Sequence, residues 1–149
     1  MKNKTVFVDL EETLVESWHD HRLCKLAKVQ DFLGVHGRQV ELFSFAVYND
    51  ADLDYFNREL KVFLEHACGL SFTKVHLAED VKKAVQDFTR NYYESLPEFI
   101  SEHGKSRAFE DFCLAQQKTD WEFVLLDDVV QNKTILLHDS NVKITFVKC

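Results

Sequence analysis

The stretch TVFVDLEETLVES, Thr5 to Ser17, places a buried strand next to a group of acids. Thr5 to Val8 is β-branched and aromatic, a composition that predicts a strand. Asp9, Glu11 and Glu12 follow within four positions. A core strand that ends in three acids leads either into a solvated turn or into a site that holds a metal ion and handles phosphate. The remainder of the chain has to separate these two interpretations.

Strand and helix patterns alternate over the rest of the chain. Further strands are predicted at Val40–Val47, Phe72–Leu77, Glu122–Leu126, Thr134–Leu137 and Lys143–Val147, and helices at Arg22–Leu33, Leu53–Ala67, Glu79–Tyr93 and Ser106–Gln116. Pro97 is expected to break the chain before a possible turn at Glu98–His103. This order predicts an α/β fold with a three-layer Rossmann-like arrangement, an open parallel sheet with helices on both faces.

Polar residues stand where several predicted strands end. Asp9 ends the first strand, Ser44 lies in the second, and Asp127 and Asp128 end the fourth. In open parallel sheets, ligands bind beyond the carboxyl ends of the strands. These side chains are therefore expected to meet at one edge, and Lys105, at the start of the helix before the fourth strand, can reach the same edge.

These residues resemble the motifs of the haloacid dehalogenase-like phosphohydrolases. The family begins with an apolar strand and D-x-D-x-T/V; VFVDLEETL matches at Asp9 and Thr13, with Glu11 in place of the second Asp. VELFS ends at Ser44, where the family has a strand-terminal Ser or Thr. GKSRAFEDF supplies a helix-start lysine at Lys105, and FVLLDD matches the last motif, an apolar strand that ends in two acids.

The resemblance implies a magnesium-dependent phosphohydrolase in which Asp9 forms an aspartyl-phosphate. Glu11 would protonate the leaving group and then activate water, and Lys105 would balance the negative charge. Thr13 and Ser44 would belong to the substrate-binding part of the site. Mg²⁺ would be held by Asp9, the backbone carbonyl of Glu11, and Asp128 or Asp127, which supply oxygen ligands of the kind that Mg²⁺ prefers.

Several alternatives stay open at this point. If the second strand is longer, Asn49 takes the place of Ser44 as the strand-terminal polar residue. Lys82 or Lys83 is an alternative to Lys105 as the site lysine. Glu11 has one methylene more than Asp, which moves its carboxyl group by about 1.5 Å. A displacement of about 1 Å can cost roughly a hundredfold in rate, so a catalytically silent binding or interaction module is the alternative function.

Two further segments have competing interpretations. WHDH, Trp18 to His21, follows the first motif where the family has a flap, so Trp18, His19 and His21 are candidates for substrate contact. DADLD resembles the start of a calcium loop, but Tyr55 stands at the position that requires glycine. A helix cap at Asn49 or Asp50 is the better interpretation. A receiver domain is disfavoured because its paired acids follow the first strand, whereas in this chain the paired acids Asp127 and Asp128 follow the fourth.

Composition limits the partners. With 149 residues the chain is expected to be one domain, residues 1–149, and both gaps where the family inserts a cap are too short for a sizeable one. The net charge of -7 gives no bulk attraction to nucleic acid or anionic membrane. No apolar leader follows the first four residues, and the four cysteines are scattered. We therefore expect a cytoplasmic protein with reduced thiols, whose open site accepts a macromolecular or nucleotide-type phosphate.

Overall fold

The computed structural model describes residues 3–149, which form a mixed α/β fold around one six-stranded sheet. The strands are β1 (Asn3–Val8), β2 (Gln39–Phe43), β3 (Ser71–His76), β4 (Trp121–Asp127), β5 (Lys133–Leu137) and β6 (Val142–Lys148). The expectation about an N-terminal leader includes residues 1 and 2, which lie outside the described residues. Among residues 3–149, no helix is both long enough and apolar enough to cross a membrane.

The sheet has the order β3-β2-β1-β4-β6-β5 and is mostly parallel. β1 lies at its centre and pairs in parallel with β2 on one side and with β4 on the other. The expectation of a purely parallel sheet is wrong for β5, which pairs antiparallel with β6. Only residues 138–141 separate these strands, and a parallel connection needs a crossover of a dozen or more residues.

In the described part of the chain, six α-helices connect the strands, and several begin or end away from the predicted positions. They are α1 (Leu26–His36), α2 (Asp50–Tyr55), α3 (Val62–Cys68), α4 (Ala78–Thr89), α5 (Leu96–His103) and α6 (Lys105–Ala115). α1 begins four residues later than predicted because Lys25 has a left-handed φ of 48°. α4 ends before Tyr93 because Arg90 is also left-handed, with φ 64°.

A helix begins next to Pro97, at Leu96, where the sequence predicted a break. Pro97 lies in the first turn of α5, where the missing amide hydrogen costs nothing because that amide would have no helical partner. Ser95 precedes the helix, and its Oγ accepts a hydrogen bond of 3.2 Å from the Glu98 amide.

The predicted helix Leu53–Ala67 is present as one longer helical run with a π-helical segment in its middle. α2, the segment Phe56–Lys61 and α3 follow one another without a break, and Phe56 and Leu60 of the segment are fully buried. Asn49 caps the run, since its side chain accepts a 3.1 Å hydrogen bond from the Asp52 amide. This confirms the prediction of a helix cap in place of a calcium loop.

The apolar side chains form two clusters on opposite sides of the sheet. Val6 and Val8 of β1 belong to one cluster, with residues of α1 and of the π-helical run. Phe7 belongs to the other, with residues of α4, α5 and α6, and its ring meets that of Phe109 at 5.0 Å. Because successive side chains of a strand point to opposite faces, helices pack on both faces of β1.

Candidate active site

The carboxyl end of β1 places Asp9 beside the end of β4. The Asp9 amide donates a 3.0 Å hydrogen bond to the Leu126 carbonyl, so that Asp9 stands next to Asp127. A tight turn follows, in which the Leu14 amide donates to the Leu10 carbonyl at 2.9 Å. Leu10 and Leu14 are buried in this turn. The turn thus anchors the strand end in the core and leaves the Asp9 carboxylate at the edge of the sheet.

Lys105 is the first residue of α6, and its ammonium group joins the two carboxylates. Its Nζ donates a hydrogen bond of 2.8 Å to Asp9 Oδ1 and forms an ion pair with Asp127 Oδ2. Gly104, which separates α5 from α6, has a φ of 84°, a conformation that favours glycine. The sharp junction between the two helices therefore allows α6 to begin at the site.

Asp128 adds a third carboxylate. One oxygen each from Asp9, Asp127 and Asp128 lies within 4.8 Å of the other two. Asp127 is fully buried, and its Oδ1 accepts a 2.8 Å hydrogen bond from the Val129 amide. Asp9 and Asp128 line a cavity of about 360 Å³ that opens beside them, together with Lys105.

Burial and neighbouring charges shift the pKa values of this group. Burial raises the pKa of Asp9 to about 7; Lys105 opposes this rise, and the charge of Asp127 adds to it. Burial lowers the pKa of Lys105, but Asp9 and Asp127 more than offset this and raise it above its usual value. Three carboxylates thus face one ammonium ion, so the cluster carries an excess of negative charge when all of its groups are ionised.

The donor set fits a magnesium ion. Mg²⁺ binds hard oxygen ligands in octahedral geometry, and the spacing of the three carboxylates allows their oxygens to share one coordination sphere. The excess negative charge also favours a divalent cation. Asp9, Asp128 and Asp127 are the side chains that would hold it.

Ser44 and Thr13 occupy different places in the site. Ser44 lines the cavity, and its Oγ accepts a 3.2 Å hydrogen bond from the Ala46 amide, which starts a turn where β2 was predicted to continue. Thr13 is fully buried, and its hydroxyl lies 3.4 Å from Asp9 Oδ2 as a donor. Thr13 therefore contacts the Asp9 carboxylate, not the cavity. Asn49, the alternative to Ser44, is used as a helix cap.

The competing lysines lie elsewhere. Lys82 donates a 2.8 Å hydrogen bond to the Tyr93 carbonyl, and Lys83 is exposed on α4. Of the three candidates, Lys105 alone contacts Asp9 and Asp127 in the described part of the chain. Its place at the start of α6 agrees with the predicted position of the site lysine.

Glu11 is connected to the segment that follows the first motif. Its Oε2 accepts a 2.6 Å hydrogen bond from the Trp18 amide, and its side chain also lines the cavity. The Trp18 ring packs on Tyr55 at 4.7 Å, and His21 Nε2 lies 3.1 Å from the Tyr55 hydroxyl. The Trp18–His21 loop therefore packs against α2. Glu11 links this loop to the site, because it lines the cavity and accepts the hydrogen bond from the Trp18 amide.

Three large apolar side chains that the sequence analysis missed also line the cavity, next to the smaller Ala46. Phe45, Ile100 and Val129 come from the β2 turn, from α5 and from the loop after β4. Phe45 and Val129 directly follow Ser44 and Asp128, so their adjacency to predicted site residues was the available signal. Ile100 had no such signal, because α5 was predicted only as a turn.

The chain was compared with family models, with curated proteins and with solved structures, and none of them matches it. The geometry of the site therefore carries the functional argument.

Proposed function

We propose that this protein is a magnesium-dependent phosphohydrolase that works through an aspartyl-phosphate intermediate on a domain of the three-layer Rossmann-like type. The observation that carries the proposal is the convergence of Asp9, Lys105 and Asp127 at the carboxyl ends of β1 and β4, with a cavity beside them. The haloacid dehalogenase-like resemblance predicts these residues together. Helices on both faces of β1 support the fold assignment.

In the proposed reaction, a carboxylate oxygen of Asp9 forms a bond to phosphorus while the bond from phosphorus to the leaving oxygen breaks. Glu11 gives its proton to the leaving oxygen. Glu11 then takes a proton from water, whose oxygen attacks phosphorus, releasing inorganic phosphate and regenerating Asp9. Lys105 stabilises the negative charge of the phosphoryl group during both steps.

Charge around Asp9 explains why a cation belongs to the proposal. A nucleophilic carboxylate has to be ionised, whereas burial raises the pKa of Asp9. A bound Mg²⁺ supplies positive charge that favours the ionised form and reduces repulsion between carboxylates and phosphate. Asp128, which is only partly buried and lines the cavity, would hold such an ion next to Asp9.

The proposed substrate is a large or extended phosphate ester. Val129 is 60% exposed and Ile100 is 37% exposed, although both line the cavity. The cavity is thus reached directly from solvent, and a phosphate carried on a macromolecule or a nucleotide-type compound can enter it. An open site of this kind encloses little of a small metabolite.

Hydrolysis of an aryl phosphate ester tests the proposed activity. The purified protein should release inorganic phosphate with Mg²⁺ and lose this activity in EDTA. Asp9→Asn should remove nearly all turnover because an amide is a poor nucleophile, whereas Asp87→Asn, on the exposed side of α4, should match the wild type. Unchanged turnover in Asp9→Asn would contradict the proposed mechanism. Mass spectrometry of acid-quenched protein should place a phosphoryl group on the peptide that contains Asp9.

The metal assignment has its own test. Asp128→Ala and Asp127→Ala should each weaken Mg²⁺ binding by roughly tenfold or more, the range found when metal-site residues are disturbed. Asp139→Ala, which removes an exposed acid after β5, is the matched control. Titration calorimetry measures the three affinities, and equal values would exclude these carboxylates as ligands.

A second candidate function is a catalytically silent module that binds a phosphorylated ligand. The observation that favours it is the 2.6 Å hydrogen bond between Glu11 and the Trp18 amide, which engages the carboxyl group proposed to transfer protons. If Glu11 is an acid and base, Glu11→Gln should slow turnover and Glu11→Asp should preserve or raise it. A wild-type protein that binds phosphate with Mg²⁺ but hydrolyses no ester would favour the silent module.

A further inference from the structure

The three apolar residues Phe45, Ile100 and Val129, here named the apolar rim, surround a strongly polar floor. The floor consists of Asp9, Asp128 and Lys105, with Asp127 fully buried next to Lys105. Rim and floor line the same cavity of about 360 Å³. A phosphoryl group that reaches the floor would therefore leave the rest of its ester beside apolar side chains.

The rim residues are fixed relative to the floor. The Val129 amide donates a 2.8 Å hydrogen bond to Asp127 Oδ1, which holds Val129 at the end of β4. The centre of the Phe45 ring lies 5.6 Å from Lys105 Nζ and 6.1 Å from the ring centre of Phe99. These contacts join the rim to the ammonium group and to the core.

Ile100 is held by the helix that carries it. Its neighbour Phe99 is fully buried, whereas Ile100 is 37% exposed. α5 thus faces the core on one side and presents an apolar side chain to the cavity on the other. Isolated exposed apolar residues are common on proteins, but these three come from three separate segments and meet at one cavity.

Charges at the cavity disfavour a second anionic group. Glu11, Glu12 and Asp128 also line it, and Lys105, its one cationic side chain among residues 3–149, is already paired with Asp9 and Asp127. A polyphosphate or a phosphodiester chain would meet these acids without further cations. An uncharged ring would instead contact the rim and lose apolar surface to it.

We propose that the site selects phosphate monoesters whose leaving group carries an uncharged apolar ring. This inference rests on the proposed function and specifies its substrate class. The ring occupies the space between Ile100, Val129 and Phe45 while the phosphoryl group contacts Lys105. The same chemistry is offered by a free ring-bearing ester and by a phosphorylated tyrosine side chain.

Two esters with similar leaving groups test this selectivity. Benzyl phosphate and glycerol phosphate both release an alkoxide oxygen of similar basicity, so intrinsic reactivity does not favour either. We expect kcat/KM to be roughly tenfold higher for benzyl phosphate, the lower end of the discrimination that apolar pockets achieve. Equal values in an enzyme that hydrolyses both esters would overturn the inference and leave the proposed function standing. Hydrolysis of neither ester would contradict the proposed function.

Variants of the rim assign the selectivity to these residues. Ile100→Ser and Val129→Ser should each reduce the benzyl-to-glycerol ratio by roughly threefold, since each removes apolar surface next to the ring. Val62→Ser, which changes a valine that is 72% exposed on α3, should leave the ratio unchanged. A ratio that does not change in Val129→Ser and Ile100→Ser would contradict the role of the rim.

Binding of stable analogues gives a readout that does not need turnover. With Mg²⁺ present, benzylphosphonate should bind more tightly than ethylphosphonate, and Val129→Ser should reduce that difference. Equal affinities would overturn the inference even in a protein without hydrolase activity. A phosphotyrosyl peptide compared with phenyl phosphate then separates the two sources: a higher kcat/KM for the peptide assigns the ring to a protein side chain, and a lower one assigns it to a free ester.

Discussion

Two groups of buried and partly buried polar residues in this protein differ in how their charges are matched. The first is the site cluster of Asp9, Asp127, Asp128 and Lys105, in which three carboxylates face one ammonium ion. The second is a histidine cluster of three residues: Tyr93 in the loop after α4, His103 at the end of α5, and Asp111 in α6.

In the histidine cluster, each ring nitrogen of the imidazole has one partner. His103 Nε2 lies 2.6 Å from Asp111 Oδ2, and Nδ1 lies 3.0 Å from the Tyr93 hydroxyl. The ring also stacks on Phe99. Because polar groups buried with their partners cost little, this cluster is explained by the stability of the fold. In the site cluster, by contrast, three carboxylates share one ammonium ion, and this unequal matching is the reason for proposing a cation there.

The largest expected effect comes from removing the ammonium ion of the site cluster. Lys105→Met leaves the buried carboxylates of Asp9 and Asp127 without their partner, and we expect a loss of about 3 kcal/mol in unfolding free energy. Mg²⁺ should restore part of the loss, because it replaces the missing positive charge. Urea unfolding with and without Mg²⁺ measures both effects. Lys83→Met, on the exposed side of α4, should be nearly neutral; an equal loss in both variants would contradict the pairing.

The pH dependence of the unfolding free energy tests the charge imbalance of the site cluster through Asp9. The pKa of Asp9 is raised from 3.8 to about 7 in the folded protein, so the folded state holds a proton that the unfolded state releases. The free energy of unfolding of the wild type should therefore fall relative to that of Asp9→Asn as the pH rises from 4 to 7. We expect a fall of about 2 kcal/mol. Each pKa unit corresponds to about 1.4 kcal/mol, and the total is reduced because Asp9 titrates together with its charged neighbours. Below this window the difference should be constant.

Chemical unfolding of both proteins across this pH range, without Mg²⁺, makes the measurement. Asp31→Asn is the control for the loss of an exposed carboxylate. A difference between wild type and Asp9→Asn that grows in the opposite direction would show that Lys105 outweighs burial in setting the pKa of Asp9.

The smallest expected effect comes from the histidine cluster. His103→Leu removes two hydrogen bonds, but Asp111 and Tyr93 are only partly buried and can turn to water, so we expect a loss of about 1 to 2 kcal/mol. Unlike the loss in Lys105→Met, this one should not respond to Mg²⁺. Thermal unfolding with and without the ion measures it, and His66→Leu on the surface of α3 is the control. A Mg²⁺-dependent recovery in His103→Leu would remove the distinction between the clusters.

Much of the sheet could be predicted because its strands have distinct patterns. FVLL, residues 123–126 of β4, is an unbroken apolar run, as expected for a strand covered on both faces. The direction of β5 was also accessible, since the short connection to β6 excludes a parallel crossover. The π-helical segment was not, because its apolar spacing resembles that of an α-helix. The left-handed residues Lys25 and Arg90 likewise carry no signal that distinguishes them from helical residues.

In the candidate site, the convergence of strand ends was predictable and the side-chain directions were not. Asp9, Lys105 and Asp127 meet as the carboxyl-edge rule predicts. Thr13 matches a motif position, but local hydrogen bonding in the turn after β1 determines that it points to Asp9 and not to the cavity. The exposure of Ile100 and Val129 depends on what lies across from them in space, which the local sequence does not encode.

The central position of β1 has a consequence for the order in which the protein is made. β1 leaves the ribosome before the other five described strands, yet its partner β4 and the cation for Asp9 come much later in the chain; Lys105 follows Asp9 by 96 residues. Contacts between such distant segments form late and slowly. A nascent chain that ends before α6 leaves Phe7 without the α6 residues that cover it and carries Asp9 without its counter-ion. Such a chain has neither a closed core nor an assembled site, so a premature stop should yield a target for chaperones and proteases and not a partly active enzyme.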